Sequence, residues 1–271
     1  MNNLTQRIIT ATIGAAILLG GIIYSEQTFL VILILITSLS LIEFYALSES
    51  ANVKPQRLFG LLINLLIFLP MIFHQIFETV SNLIPLLIVL PSMLFIRELY
   101  MKSKTPLFNV GITLLGIIYI SLSLFCFYLI AFMGATQEYA YQIIIGFLFI
   151  LWANDTGAYF AGKYLGRHKL FERISPKKTW EGFFGGLVLA GIVSFLIAKN
   201  NTDFSLIEWS IIAGIIVVIG TLGDLVESMF KRSVDVKDAG SLLPGHGGFL
   251  DRFDSLFISA PFVFFYLQFY H

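Results

Sequence analysis

The sequence predicts an all-α, polytopic integral membrane protein of about nine transmembrane helices, with its N-terminus in the cytoplasm. Three observations carry this. The chain is 57% hydrophobic and 13% charged over 271 residues, which leaves too little polar surface to cover a water-soluble globule of that size. Uncharged runs long enough to cross a bilayer recur along it, the requirement being about 17 to 25 residues because each helical residue advances about 1.5 Å through roughly 30 Å of hydrocarbon. The lysines and arginines gather on one side of the resulting arrangement.

Span one, 8 to 25, is uncharged between Arg7 and Glu26. It is long for the apolar stretch of a secretory signal and ends in GIIYSEQ without a small-x-small cleavage site, so a retained helix is expected. Span two, 27 to 47, is interrupted by Glu43 near its cytoplasmic end. That residue either pairs with a basic loop or lines a site. Spans three and four, 58 to 77 and 79 to 96, are uncharged but carry Pro70, Pro85 and Pro91, where helices kink or break. Span five covers 105 to 137, and span six covers 139 to 161 around Asp155. Span seven covers 182 to 198, span eight covers 207 to 229 with Asp224 and Glu227, and span nine covers 255 to 271. The expected organisation is an N-terminal membrane region, 1 to 140, and a C-terminal membrane region, 141 to 271. Cytoplasmic loops at 162 to 181 and 230 to 250 belong to the latter.

With nine spans, the N-terminus and the loops after even-numbered spans share one side. Of the 17 lysines and arginines, all but Lys199 fall there, which places that side in the cytoplasm. The 17 acidic residues balance the basic ones, so no basic excess points to nucleic acid. Cys126 is the single cysteine and reads as a small apolar residue.

Ionisable groups inside spans cost a few kcal/mol each on insertion scales and invite a functional explanation. Asn154 and Asp155 stand near the inner end of span six, Asp224 and Glu227 near that of span eight, and Asp251 and Asp254 at the start of span nine. Each acidic pair is three residues apart and so shares a helix face. Five carboxylates at one depth would repel one another unless basic side chains or a bound cation neutralise them. Oxygen-only donors favour a hard ion such as Mg²⁺, whereas pairing with Lys231, Arg232 and Arg252 would merely stabilise helix ends.

Two loops add to this. GKYLGRHKLFERISPKKTWEGFFGG crowds six basic residues before span seven. Within it Ser175, Pro176 and Thr179 suggest a turn and a helix start, with Glu181 opening the span. Lys177 and Lys178 beside a helix N-terminus would form a phosphate site. The later loop carries LPGHGGF, where glycines allow close backbone approach to a ligand, with His246 among them. Neither soluble phosphate-loop pattern is present.

The order Ser228, Lys231, Arg232, Lys237, Asp238, Gly240, Pro244, His246, Gly247, Gly248, Asp251, Arg252 and Asp254 resembles the signature of phosphatidate cytidylyltransferases, also called CDP-diacylglycerol synthases. NDTGAYFAGKYLGRHKL and ISPKKTWEG resemble two further blocks of that family, in the same order. The resemblance implies an integral membrane enzyme joining CTP to phosphatidic acid to give CDP-diacylglycerol and pyrophosphate, and the charge bias places its active site at the cytoplasmic face of the cell membrane. The resemblance further implies Mg²⁺ on Asp224 and Asp251, with Glu227 and Asp254 as further candidates, possible K⁺ as a second cation, and a homodimer. It also implies catalytic roles for Lys231, Arg232, His246 and Arg252. Substrate contacts would come from Asn154, Asp155, Ser175, Lys177, Lys178, Thr179, Glu181, Lys237, Asp238, Gly247 and Gly248. A CTP-dependent polyprenol or phytol kinase makes similar demands on the residues, and a secondary transporter also carries intramembrane acids.

Overall fold

The structure, a computed structural model, describes residues 3–72, 84–200, 203–240 and 248–270. Ser25 separates α1 (Asn3–Tyr24) from α2 (Glu26–Glu49). Its Oγ accepts the Thr28 N–H at 3.2 Å while Thr28 Oγ1 accepts the Ser25 N–H at 3.1 Å, a reciprocal cap that starts α2 sharply. Helices α3 (Arg57–Ile72) and α4 (Ile84–Met101) follow. Pro70 and Pro91 lie inside them rather than ending them, and Pro85 is the second residue of α4, where a missing N–H costs nothing. The end of span three and the beginning of span four fall outside the described residues. Helix α5 (Pro106–Gly116) passes through a π-helical segment, Ile117–Leu122, into α6 (Ser123–Ile130). Together they supply the apolar length expected of span five.

Helix α7 (Tyr141–Leu165) leads into a short antiparallel ribbon, β1 (Lys169–Phe171) and β2 (Ser175–Thr179), and then α8 (Trp180–Asn200), α9 (Leu206–Ser233) and α10 (Leu250–Tyr270) complete the order. The ribbon corrects two expectations: the fold is nearly but not wholly α, and Ser175–Thr179 is a strand instead of a turn. Lys169 pairs with Thr179 and Phe171 with Ser175. The cause is local, because a residue preceding proline is driven out of the α region, so Ser175 is extended and the helix waits until Trp180.

Among the described residues six helices are long and apolar enough to cross a membrane: Glu26–Glu49, Pro106–Ile130, Tyr141–Leu165, Trp180–Asn200, Leu206–Ser233 and Leu250–Tyr270. The chain is a multi-pass membrane protein, and α8 shows why water would not suit it. Its buried positions are the small residues Gly182, Gly186, Ala190 and Ser194, four apart, whereas Phe184, Val188, Ile192 and Leu196 are each more than half exposed. Small residues inward and large apolar ones outward is the pattern of a helix packed in lipid.

The chain forms two compact units, one of Met1–Phe125 with Val234–Arg252 and one of Cys126–Ser233 with Phe253–His271. In the first, Tyr45 packs where Gly60 and Gly116 lack side chains, and its hydroxyl donates to the Thr113 carbonyl at 3.0 Å. In the second, Trp209, Phe127 and Phe147 are fully or almost fully buried, and the last two meet edge to face at 5.1 Å.

Candidate functional site

The second unit contains a cavity of about 490 Å³, a size suited to a small ligand. Helix α7 lines it with Asn154, Asp155, Ala158, Tyr159, Gly162 and Lys163, and β1 with Leu170. Strand β2 adds Lys177, Lys178 and Thr179, α8 adds Gly182 and Phe183, α9 adds Thr221 and Asp224, and α10 adds Ser255. Of these, Tyr159, Thr221 and Ser255 were missed in the sequence, being uncharged positions within apolar spans.

Backbone contact between α7 and α8 sets the width of this cavity. A Cβ on Gly157 would lie 2.5 Å from the Gly185 carbonyl oxygen, and one on Gly182 would lie 2.9 Å from that of Ala158. Small residues four apart on each helix, Gly157 with Ala161 and Gly182 with Gly186, allow that approach. This spacing was visible in the sequence and is the signal that could have found the packing. Thr179 then starts α8, its Oγ1 accepting the Gly182 N–H at 3.1 Å, as the sequence anticipated.

Charges converge on the cavity wall. Lys178 Nζ pairs with Asp224 Oδ2 at 2.6 Å and donates to the Thr221 carbonyl at 3.4 Å. Ser228 Oγ donates to Asp224 Oδ1 at 3.3 Å. Asp155 and Asp254 each feel the charges of Asp224 and Lys178, and Asp254 also feels that of Asp155. Three of the five carboxylates therefore gather near Lys178, and with Lys163 and Lys177 also lining the cavity its wall carries closely spaced charges of both signs. Asn154 is 4% exposed and its Oδ1 has no hydrogen-bond partner, although the side chain bonds Asp155.

These oxygen donors suit Mg²⁺, which usually takes one or two carboxylates and completes its shell with substrate phosphates and water. Among the described residues no group of three or more His, Cys, Asp or Glu is placed to hold a metal ion by itself. An ion shared with a phosphate substrate does not require one.

Other sequence candidates have partners of a different kind. Glu227 is fully buried and pairs with Lys231 at 2.6 Å one helical turn away, so these two neutralise each other within α9. Glu181 clamps the ribbon: its carboxylate accepts the N–H groups of Arg167 and His168 at 3.0 and 3.2 Å and meets His168 Nδ1 at 2.6 Å. Ser175 is half-buried on β2, while Arg232 is exposed at the end of α9.

In the first unit, Asp251 holds its own loop. Its Oδ2 accepts the N–H of Gly248 at 2.9 Å and of Ala239 at 3.1 Å. Glu43 Oε2 accepts the N–H of Leu250 at 2.8 Å. Lys237, Asp238 and Arg252 are exposed there, and His246 and Gly247 lie outside the described residues.

Comparison with known proteins agrees along the whole chain. The pattern described as the Cytidylyltransferase family matches residues 5–270. A phosphatidate cytidylyltransferase of Bacillus subtilis (strain 168) is 36% identical over 273 residues, covering 98% of each chain. One of Staphylococcus haemolyticus (strain JCSC1435) is 33% identical over 258 residues, covering 94% of this chain and 95% of the relative. One of Staphylococcus aureus (strain COL) is 42% identical over 163 residues, covering 59% and 60%.

Proposed function

On the premise that this chain belongs to the cytidylyltransferase family, we propose that it is a phosphatidate cytidylyltransferase, forming CDP-diacylglycerol and pyrophosphate from CTP and phosphatidic acid. The relatives' names favour this over a lipid kinase or a transporter. The observation that carries it at the level of residues is the cavity where Lys177 and Lys178 stand beside Asp155 and Asp224.

In this reaction a phosphate oxygen of phosphatidic acid attacks the α-phosphorus of CTP. One P–O bond forms as the bond to the β-phosphate oxygen breaks, and pyrophosphate leaves. A phosphate monoester carries about −1.5 to −2 charges at neutral pH, so the nucleophile is already ionised and needs no general base. The obstacle is repulsion between two polyanions. Lys177 and Lys178 hold the triphosphate and stabilise the charge that builds on the leaving pyrophosphate. Arg232, Lys237 and Arg252 supply further positive charge at the membrane face. Asn154 and Thr179 line the cavity and orient the substrate.

Asp224, with Asp155 and Asp254 near it, would hold Mg²⁺ in this account, and the ion would supply electrostatic neutralisation of the phosphates. The resemblance gives Asp251 a ligand role as well. The Glu227–Lys231 pair supports α9 from within. Nine spans, a cytoplasmic N-terminus, a site facing the cytoplasm, residence in the plasma membrane and a homodimer complete the proposal. The lipid keeps its acyl chains in the bilayer and enters sideways between helices.

Purified protein in detergent with Mg²⁺, phosphatidic acid and diacylglycerol or a polyprenol tests the reading, using CTP labelled at either the α- or the γ-phosphorus. Label reaching lipid from the α-position alone is expected. Transfer from the γ-position alone would establish a lipid kinase, and no transfer by folded protein would favour a transporter. A second test is Asp251→Asn, in which the amide oxygen can still accept the Gly248 and Ala239 N–H groups while the charge is gone. Turnover is expected to be abolished in protein that inserts and purifies normally; normal turnover would remove the Asp251 charge from the chemistry.

A further inference from the structure

The geometry points to Glu43 as a positioning residue for the reaction proposed above, acting from α2 on the segment that carries Asp251. Glu43 lies 207 positions from Leu250 in the chain, yet its Oε2 accepts that residue's N–H at 2.8 Å. Leu250 is the first residue of α10, and the first N–H groups of a helix have no partner within it. A carboxylate from another helix thus caps α10, where the helix dipole also favours negative charge. The residue is 3% exposed, so its burial has to be offset by such bonds.

Two glycines make room for it. A Cβ on Gly248 would come within 2.6 Å of Glu43 Oε2, and one on Gly240 would meet Glu43 Oε1. Asp251 bonds the backbone beside both, at Ala239 and Gly248. Glu43 and Asp251 therefore tie the described ends of the loop together, and Glu43 sets where α10 begins. The hydrogen bond needs an acceptor oxygen and not a charge, which separates bracing from chemistry. Glu43→Gln keeps an acceptor; Glu43→Ala does not.

The test compares wild type, Glu43→Ala and Glu43→Gln as full chains in detergent, by hydrogen exchange and by steady-state transfer from α-labelled CTP. Glu43→Ala is expected to speed exchange at 239–240 and 248–252 while leaving α8 and α9 unchanged. Its kcat should fall by about 10- to 100-fold, the scale for groups that orient site residues from behind, with little change in KM for phosphatidic acid. Glu43→Gln should restore most of both. Unchanged exchange in Glu43→Ala, or no rescue by Glu43→Gln, would overturn the assignment. If Glu43→Ala does not fold, Gly240→Ala, whose Cβ would have three Glu43 side-chain atoms as its nearest neighbours, should loosen the same two segments, and unchanged exchange there would overturn it equally. Should wild type transfer no label, the proposed function falls, while the exchange comparison still decides whether Glu43 braces the loop.

Discussion

Asp224→Asn is expected to lower cytidylyl transfer by about 10²- to 10³-fold, the scale on which a single preorganised charge-stabilising group acts. Asp224 is the partner of Lys178 and the acid whose charge reaches both Asp155 and Asp254. The amide keeps the volume and can still accept from Ser228, which now bonds Oδ1. What disappears is the charge that fixes Lys178 and would bind a divalent cation. The measurement is turnover of α-labelled CTP across a Mg²⁺ titration, alongside the thermal midpoint of the purified variant. A deep loss in turnover with a near-normal midpoint is the expected pair of results. Turnover within a few-fold of wild type at every Mg²⁺ concentration would place the chemistry elsewhere.

Gly157→Leu should damage the fold itself. Its Cβ would lie 2.5 Å from the Gly185 carbonyl oxygen and 3.0 Å from the Gly185 carbonyl carbon, and backbone atoms of a packed helix cannot rotate aside. Overpacking costs about 1–3 kcal/mol where side chains give way, and occasionally more; against a backbone obstacle the upper end is expected. Helices α7 and α8 must then separate, and Asp155 on one moves away from the ribbon and helix start on the other. Gly191→Leu is the matched control, since a Cβ on Gly191 of α8 meets nothing within 4 Å. Thermal midpoints in detergent should drop clearly for Gly157→Leu and hold for Gly191→Leu. Equal midpoints would mean that the close approach of α7 and α8 contributes nothing to stability.

Much of the fold was legible because lipid imposes a simple rule on the chain. A backbone crossing hydrocarbon must satisfy its own hydrogen bonds, so long uncharged runs become helices. The runs at 27 to 47, 139 to 161 and 207 to 229 correspond to α2, α7 and α9, despite the charges that interrupt them. The ribbon at 169–179 escaped notice because it lies outside any span, where no such rule operates. There the restriction that Pro176 places on Ser175 made a strand of the expected turn, while the helix start at Thr179 held.

For the candidate site, residue type and order in the sequence identified the acids and the lysines, and the inclusion of Asp155, Asp224, Lys177 and Lys178 in one cavity followed. Their division of labour did not follow from type. Asp224 and Glu227 are three apart on one helix, yet one lines the cavity with Lys178 and the other is buried against Lys231. Glu227 meets Lys231 one turn along its own helix, a pairing that local spacing allows, whereas the partner of Asp224 comes from β2 and depends on helix rotation and on the residues packed opposite. Glu43 is the extreme case, since its partner at Leu250 is remote in sequence and the glycines that admit it look like ordinary loop residues.

By itself, the sequence determined that this chain lives in a membrane, that its ionisable residues collect near the ends of spans, and which family it belongs to. Those properties depend on composition, period and the order of residues along the chain. Tertiary structure alone decided that α7 and α8 meet backbone to backbone, that Lys178 serves Asp224, and that Glu43 caps α10. Each of these is a contact between segments whose distance is set by packing, and packing is a property of all the helices together.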